Sequence, residues 1–233
     1  MHILLTRPLE DSLPMIKRFK DLGHDVSHLP LLKIEKVSAN KEYNINDYNA
    51  LILTSANALK FLNIEEIDKS KICFAVGHAT EKRLLSLGFQ NIVTAEGSVD
   101  TLMEIIQNNF ETSEGKILYL SGETVSFELD NALKKRGYNI DRIITYRVTH
   151  NVSNDLNFLS ELKNKIPDMV FIYSENSAKS FLTFIKSSGL DEYWLNTNLM
   201  CIGEKASSVL NEIKWKKIFI FNPGEEEYLL YKI

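Results

Sequence analysis

Two hydroxyl- and amide-bearing stretches have the residue types that hold an anion. Thr54-Ser55-Ala56-Asn57 closes one apolar run and opens an amphipathic one, and Ser174-Glu175-Asn176-Ser177 does the same in the second half. Serine and asparagine oxygens accept hydrogen bonds from the unpaired N–H groups of a helix start. The same helix starts, set at the carboxyl end of a parallel strand, form ready sites for carboxylate or phosphate. Capping and anion binding both remain open for these residues. Gly77-His78-Ala79-Thr80 is a third such junction. There Gly77 lets a backbone come close, and Thr80 offers a hydroxyl and a cap for the first turn. Gly203-Glu204-Lys205-Ala206 is its counterpart, without the hydroxyl. Arg7 follows the first apolar run and could grip a carboxylate, or simply face solvent. Tyr146, in IITYRVTH, follows an apolar run and precedes a chain crossing. It fits either a half-buried ring at a hinge or a proton donor.

The elements that must position these residues alternate between short apolar runs and amphipathic stretches, a pattern of α/β structure with parallel sheets. Strands are expected at His2–Thr6, Ala50–Thr54, Ile72–Val76, Ile117–Leu120, Met169–Tyr173, Leu199–Ile202 and Lys217–Phe221. These runs are apolar on both faces, as strands of a sheet covered on both sides must be. Helices are expected near Glu10–Leu22, Ala56–Leu62, Ala79–Leu87, Ser98–Asn108, Val125–Arg136, Asn176–Ser187, Lys205–Ile213 and Glu225–Tyr231. In the first of them Leu13, Ile16, Phe19 and Leu22 recur at helical spacing. The stretch 33–49 is polar and reads as strand-poor, a crossing between lobes.

An internal repeat organises the chain. ILLTRP…LGHDV at the start matches ILYLSG…RGYNI at 117, so that Ile3 pairs with Ile117 and Gly23 with Gly137. LTSANALKFL at 53 matches YSENSAKSFL at 173, pairing Ser55 with Ser174 and Asn57 with Asn176. AVGHATEKRL at 75 matches CIGEKASSVL at 201, pairing Gly77 with Gly203. The order is A, B, A′, B′. Two similar lobes follow, with a ligand cleft expected between them. The order is compatible with tandem lobes and with discontinuous ones.

Composition narrows the chemistry. The chain has 233 residues, 44% hydrophobic and 25% charged, with a net charge of −4. A globular protein with a sizeable core is implied, and no basic patch invites nucleic acid or anionic membrane. No apolar run is long enough to span a membrane, and the start MHILLTRPLED lacks the pattern of a signal peptide. Cys73 and Cys201 lie in apolar runs and read as buried side chains suited to a reducing cytoplasm. There is no G-x-G-x-x-G after a strand, no P-loop, no G-x-S-x-G and no zinc-ligand spacing among the five histidines. The expectation is binding or cofactor-free chemistry, with no metal.

TRP at Thr6–Pro8, TSANAL at Thr54–Leu59, AVGHAT at Ala75–Thr80, TYRV at Thr145–Val148, the Ser174 turn and IG at Ile202–Gly203 occur in an order and spacing that resembles the uroporphyrinogen-III synthase family. The resemblance covers nearly the whole chain. It implies two flavodoxin-like parallel-sheet lobes joined by a two-stranded β-ladder. One lobe would hold residues 1–34 plus 150–233, the other residues 38–146, with crossings near 35–37 and 147–149. It departs from the family at Glu204 and Ala206, where relatives often carry Pro and Thr; Ser207 stands close by.

The activity implied is closure of hydroxymethylbilane into uroporphyrinogen III, without a cofactor. Water would leave ring A to give an azafulvene. The substituted carbon of ring D would attack to form a spiro intermediate, and fragmentation and reclosure would deliver ring D inverted. On this reading Tyr146 donates the proton to the departing hydroxyl. Arg7, Thr54, Ser55, Asn57, Gly77, Thr80, Ser174, Asn176 and Gly203 bind substrate. A cytoplasmic monomer is expected. The rival readings are a non-enzymatic two-lobe binder of a small anion and a receiver-like domain pair. The second lacks the acidic cluster after its first strand, where Thr6-Arg7-Pro8 stands.

Overall fold

The structure is a computed structural model and describes residues 1–38, 42–96, 99–151, 156–222 and 225. The chain begins with β1 (His2–Leu5), α1 (Leu9–Asp21), β2 (Asp25–His28) and β3 (Leu32–Lys36). It continues with β4 (Ala50–Leu53), β5 (Ile72–Val76), α2 (His78–Ser86), β6 (Asn91–Ala95) and α3 (Val99–Asn109). Then come β7 (Lys116–Gly122), α4 (Leu129–Lys134) and β8 (Asn139–His150). The last elements are α5 (Leu156–Asn164), β9 (Met169–Ile172), α6 (Glu175–Ser187), β10 (Asn198–Ile202), α7 (Gly203–Val209) and β11 (Lys217–Phe221). Single 3-10 turns occupy Ile45–Asp47, Ala56–Leu59 and Ile64–Glu66.

Two compact units result: residues 1–33 with 149–233, and residues 34–148. The first contains a sheet of order β11-β10-β9-β1-β2, and the second a sheet of order β3-β8-β7-β4-β5-β6. In the first, β1 pairs in parallel with both β2 and β9, with Ile3 opposite Met169. In the second, β4 pairs in parallel with β5 and β7, with Ala50 opposite Ile117. The repeat explains both sheets. Segment A (β1-α1-β2) joins B′ (β9 to β11), and B (β4 to β6) joins A′ (β7-α4-β8). Each sheet then has the A strands beside the B strands in the same order, and the first has the flavodoxin order. At the outer side of the second sheet, β3 lies against β8. Val37 N–H donates to Thr145 O at 3.2 Å, and Arg147 meets Glu35 at 3.3 Å. These partners run in opposite directions along the chain, so the ladder is antiparallel.

The strands with continuous apolar sequence are buried on both faces. Leu4, Val170 and Ile172 pack into one core of the first unit, while Ile3, Leu5, Met169 and Phe171 pack into the other. Leu51 and Leu53 likewise face one core of the second unit, and Ala50 and Ile52 its opposite. Cys73 and Cys201 are both free and buried, and desolvation pushes each thiol up to about 12.

Several expectations need correction. β2, β3, β6 and β8 are absent from the expected strands, and α5 from the expected helices. The first three strands are half-buried, so polar residues interrupt their apolar pattern. The stretch 33–49, expected to be strand-poor, includes most of β3. The helix expected at Ala56–Leu62 is a single 3-10 turn, Ala56–Leu59. Those expected at Val125–Arg136 and Lys205–Ile213 shorten to α4 and α7. Leu13 and Leu22 are exposed, and α1 instead buries Ser12 and Phe19. Of the helix expected at Glu225–Tyr231, residues 226–231 lie outside the described residues, as does Ser98 at the start of another.

The first strand opens on a buried titratable group. His2 is 7% exposed, and its Nε2 lies 2.8 Å from Ser27 Oγ. Asp25 and Lys165 form an ion pair beside it. Burial and then the Lys165 charge hold the imidazole below its ordinary pKa, against a weaker upward pull from Asp25 and neighbouring backbone carbonyls. The fold therefore favours neutral His2. Its contribution is present above the unfolded value of about 6.5 and is lost as pH falls through the lowered value. Urea unfolding of the native chain should lose stability between about pH 7 and pH 5 more steeply than His2→Asn does, since histidine titrates in that window. Parallel pH profiles for the two would remove His2 as the cause.

Candidate active site

The candidate residues gather at the carboxyl edges of the two sheets, each set within its own unit. In the second unit Leu53 lies opposite Ala75 and Leu120. Thr54 and Ser55 therefore leave β4 beside the ends of β5 and β7, where Gly77 and Gly122 stand. This is also where the strand order reverses, the crevice in which open α/β sheets take ligands. In the first unit Leu5 lies opposite Phe171, and Ile172 lies opposite Cys201 on β10. Arg7, Ser174 and Gly203 consequently meet at the corresponding edge.

Local chemistry accounts for each helix start. Ser55 Oγ accepts from Asn57 N at 3.3 Å, and Ser174 Oγ accepts from Ser177 N at 3.0 Å. Both serines are caps, but they cap different structures. Ser55 begins one 3-10 turn, whereas Ser174 begins a 13-residue α-helix with an aligned dipole. Asn57 lies within its turn, and Asn176 is exposed on the first turn of α6. Gly77 and Gly203 keep the symmetry of the repeat, with φ of 76° and 72°. Gly77 also has ψ of 149°, a conformation that only glycine adopts readily. Thr80 is buried in the first turn of α2, which has no side-chain cap, so the expected capping role is not observed.

Arg7 is committed to its neighbours. Its guanidinium lies 4.8 Å above the Tyr173 ring, and Asp11 is 3.9 Å away. Ser207 donates to Glu204 O at 2.9 Å and is buried, so its hydroxyl serves its own helix.

Tyr146 is 8% exposed and packs in the core under the second sheet with Tyr48, Leu53 and Leu120. A bulge puts it there. The register of β7 on β8 runs Ser121 to Ile144 and then Gly122 to Tyr146, leaving Thr145 as the extra residue. The ring lies so close over Gly122 that a Cβ at that position would be 2.9 Å from Tyr146 Cζ. The unit has three other buried tyrosines, and each has a hydroxyl partner. Tyr48 donates to Asp141 at 2.8 Å, Tyr138 donates to Phe110 O at 3.0 Å, and Tyr119 lies 3.2 Å from Thr54 Oγ1. Burial pushes the Tyr119 phenol up, while the Thr54 bond draws it down. Among the described residues the Tyr146 hydroxyl makes no hydrogen bond to the protein. Ile144 and Thr145, just before it, line a concavity of about 700 Å³ with Lys36, Tyr43, Phe61 and Asn63. That volume falls in the range of small-molecule sites, about 300–1,000 Å³.

Sequence reasoning missed Tyr119, Gly122, Arg142 and Tyr173, which support or flank these residues. Among the described residues no cluster of histidine, cysteine and carboxylates could hold a metal ion. No described helix is long and apolar enough to cross a membrane.

The family model described as uroporphyrinogen-III synthase HemD matches residues 14–225. A "porphyrin biosynthesis protein HemD" of Ruminiclostridium josui is 22% identical over 228 residues, covering 88% of this chain and 42% of that protein. The chain thus spans about two-fifths of that relative's length. The uroporphyrinogen-III synthetase structure of Helicobacter pylori 26695 superposes with a TM-score of 0.64 at 20% identity, covering 100% of this chain and 99% of that one. A mutant uroporphyrinogen III synthase from Thermus thermophilus gives 0.60 at 14% identity, covering 100% and 97%. At such identities the two structures establish likeness of fold.

The backbone at Gly77 supplies a direct check on this edge. A Cβ there meets nothing within 4 Å, so an alanine would suffer only the backbone conformation. Gly77→Ala should lower unfolding stability by about 1–3 kcal/mol, the range for a strained φ/ψ. Equal denaturation midpoints for Gly77→Ala and the native chain would show that the strained turn is not required.

Proposed function

This chain belongs to the uroporphyrinogen-III synthase family, and from that membership we propose that it cyclises hydroxymethylbilane to uroporphyrinogen III with loss of water and inversion of ring D. The observation that carries the residue-level reading is the Tyr146 hydroxyl. Among the described residues it alone of the buried tyrosines of its unit makes no hydrogen bond to the protein. A tyrosine O–H placed in this way is free to donate to a ligand.

In the proposed reaction Tyr146 donates a hydrogen bond, and then its proton, to the hydroxyl leaving ring A. The C–O bond breaks, water departs, and the ring-A pyrrole supplies the electron pair that expels it. The substituted carbon of ring D bonds to the resulting azafulvene carbon. The spiro intermediate fragments and recloses through the other carbon of ring D, and loss of a proton restores the pyrrole. The pyrroles provide the electron push. What remains for the protein is orientation, which can supply a large part of a barrier.

The carboxylate-rich substrate must be held by a chain of net charge −4. Backbone N–H groups at the starts of α2 and α6, the hydroxyls of Thr54 and Ser55, and the outer edge of the Arg7 guanidinium meet that need. They do so without a broadly basic surface. Ser174 caps the start of α6 through Ser177 N–H, and Gly203 begins α7 with φ of 72°. Asn57, Asn176 and Thr80 lie within the same first turns.

Incubating the protein with hydroxymethylbilane and separating the oxidised porphyrin isomers tests the activity. Type III product is expected; only the type I ring, which forms without inversion, would exclude the reaction. Tyr146→Phe should retain the melting temperature and slow turnover by roughly 10²–10⁴-fold, the usual worth of a positioned acid. Native turnover in Tyr146→Phe would remove the tyrosine from the acid role.

A further inference from the structure

Behind Tyr146, on the opposite face of the sheet, one arginine grips the end of β7. Arg142 pairs with Tyr119 in the β7–β8 register, and Tyr119 packs in the core on the face away from Tyr146. Arg142 Nε donates to Ser121 Oγ at 2.8 Å. Its Nη2 donates to Gly122 O at 3.0 Å and to Glu123 O at 3.1 Å. Its Nη1 donates to Glu128 Oε2 at 3.2 Å. The guanidinium also lies 6.0 Å from the centre of the Tyr119 ring, whose hydroxyl meets Thr54.

These contacts converge on the residues that locate Tyr146. Gly122 is the surface over which the Tyr146 ring lies, and Glu123 N donates to Tyr146 O at 2.9 Å. The bulge that turns Tyr146 onto its face falls at Ser121 and Gly122, the two residues Arg142 holds. A bulge leaves ladder groups unpaired and lets a strand end shift. A charged, planar fork bonded to the last two residues of β7 and to Glu123 just past it removes that freedom. The exposed Glu128 adds little, because such ion pairs are weak in water.

We propose that Arg142 is a positioning residue for the reaction: by fastening Ser121, Gly122 and Glu123 from the rear face, it fixes the place of the Tyr146 hydroxyl. The catalytic part of this inference rests on the acid role proposed for Tyr146. The positional part stands on the geometry alone.

The test separates the two. In native protein carrying 3-fluorotyrosine at 146, Arg142→Gln should shift or broaden the fluorine resonance, while Arg142→Lys, which keeps the charge without the fork, should only partly restore it. A native resonance in folded Arg142→Gln overturns the positional claim, whatever the enzyme does. With hydroxymethylbilane, Arg142→Gln should lower kcat about 10- to 100-fold with little change in KM, as expected for a misplaced donor. In the Tyr146→Phe background the same substitution should cause no further loss. Additive losses, or an unchanged kcat for Arg142→Gln beside a slow Tyr146→Phe, overturn the catalytic claim and leave the acid role intact. Full turnover in Tyr146→Phe overturns the acid role and this catalytic claim together, with the fluorine result deciding the positional one. Melting curves of each variant identify any failure to fold. Should Arg142→Gln not fold, Arg142→Lys carries the same readouts, and a native resonance with native kcat in that variant overturns the proposal.

Discussion

The antiparallel ladder of β3 on β8 makes the order of this chain workable. Thr149 Oγ1 donates to Lys33 O across 116 residues of sequence, and Asn151 bonds back to both Leu31 O and Pro30 O. The ends of unit 34–148 are thereby held side by side. For the first unit the intervening chain then acts as a short closed loop, and β1 can pair with β9 although Ile3 and Met169 are far apart in sequence. Loop closure penalises length only slowly, by about 0.6 kcal/mol per doubling. A folded insertion with adjacent ends reduces even that. Without the ladder, A would have no particular reason to find B′ rather than its own neighbour.

Once the A and B segments are paired, the sites follow from geometry. Parallel strands end at one edge, and each repeat brings its polar junctions to that edge together. Ser55 and Gly77 come from consecutive B strands, as do Ser174 and Gly203 from B′ strands. Arg7 and Gly122 come from the first strands of A and A′. The repeated order thus yields two similar edges, but the residues at them have diverged. One has a capped α-helix and an arginine stacked on Tyr173. The other has a 3-10 turn, a bulge and Tyr146.

Local signals were legible in the sequence, and those that depend on partners were not. Ser174 and Gly203 could be located because caps and positive-φ turns are decided within a few residues. The central strands could be located because burial on both faces gives them apolar side chains facing both ways. The edge strands β2 and β6 failed this test, since one side of each meets solvent or a helix margin. Leu13 and Leu22 have the spacing of a core stripe but are exposed, because β1, β9 and β10 present their apolar side chains to Phe19 instead. The relation of Arg142 to Tyr146 was hidden for a sharper reason. Strict alternation along β8 places them on one face, and the bulge at Thr145 sends Tyr146 to the other. An insertion of one residue in a strand pairing leaves no composition signature.

The unpaired hydroxyl of Tyr146 gains meaning from its neighbours. Tyr48, Tyr119 and Tyr138 occupy equally buried positions, and the fold gives each a partner. A phenol sealed in apolar surroundings without one would cost about 1–3 kcal/mol. Tyr146 contributes its ring to the core, and among the described residues its hydroxyl makes no hydrogen bond to the protein. Such an arrangement suits a group that must exchange water for a ligand oxygen without rearranging the protein. It also explains why the supporting contacts lie behind it. On the proposed acid role, any residue that held the hydroxyl itself would compete with the substrate. The restraint therefore has to act on the backbone and on Gly122, and that is where the bonds of Arg142 are made.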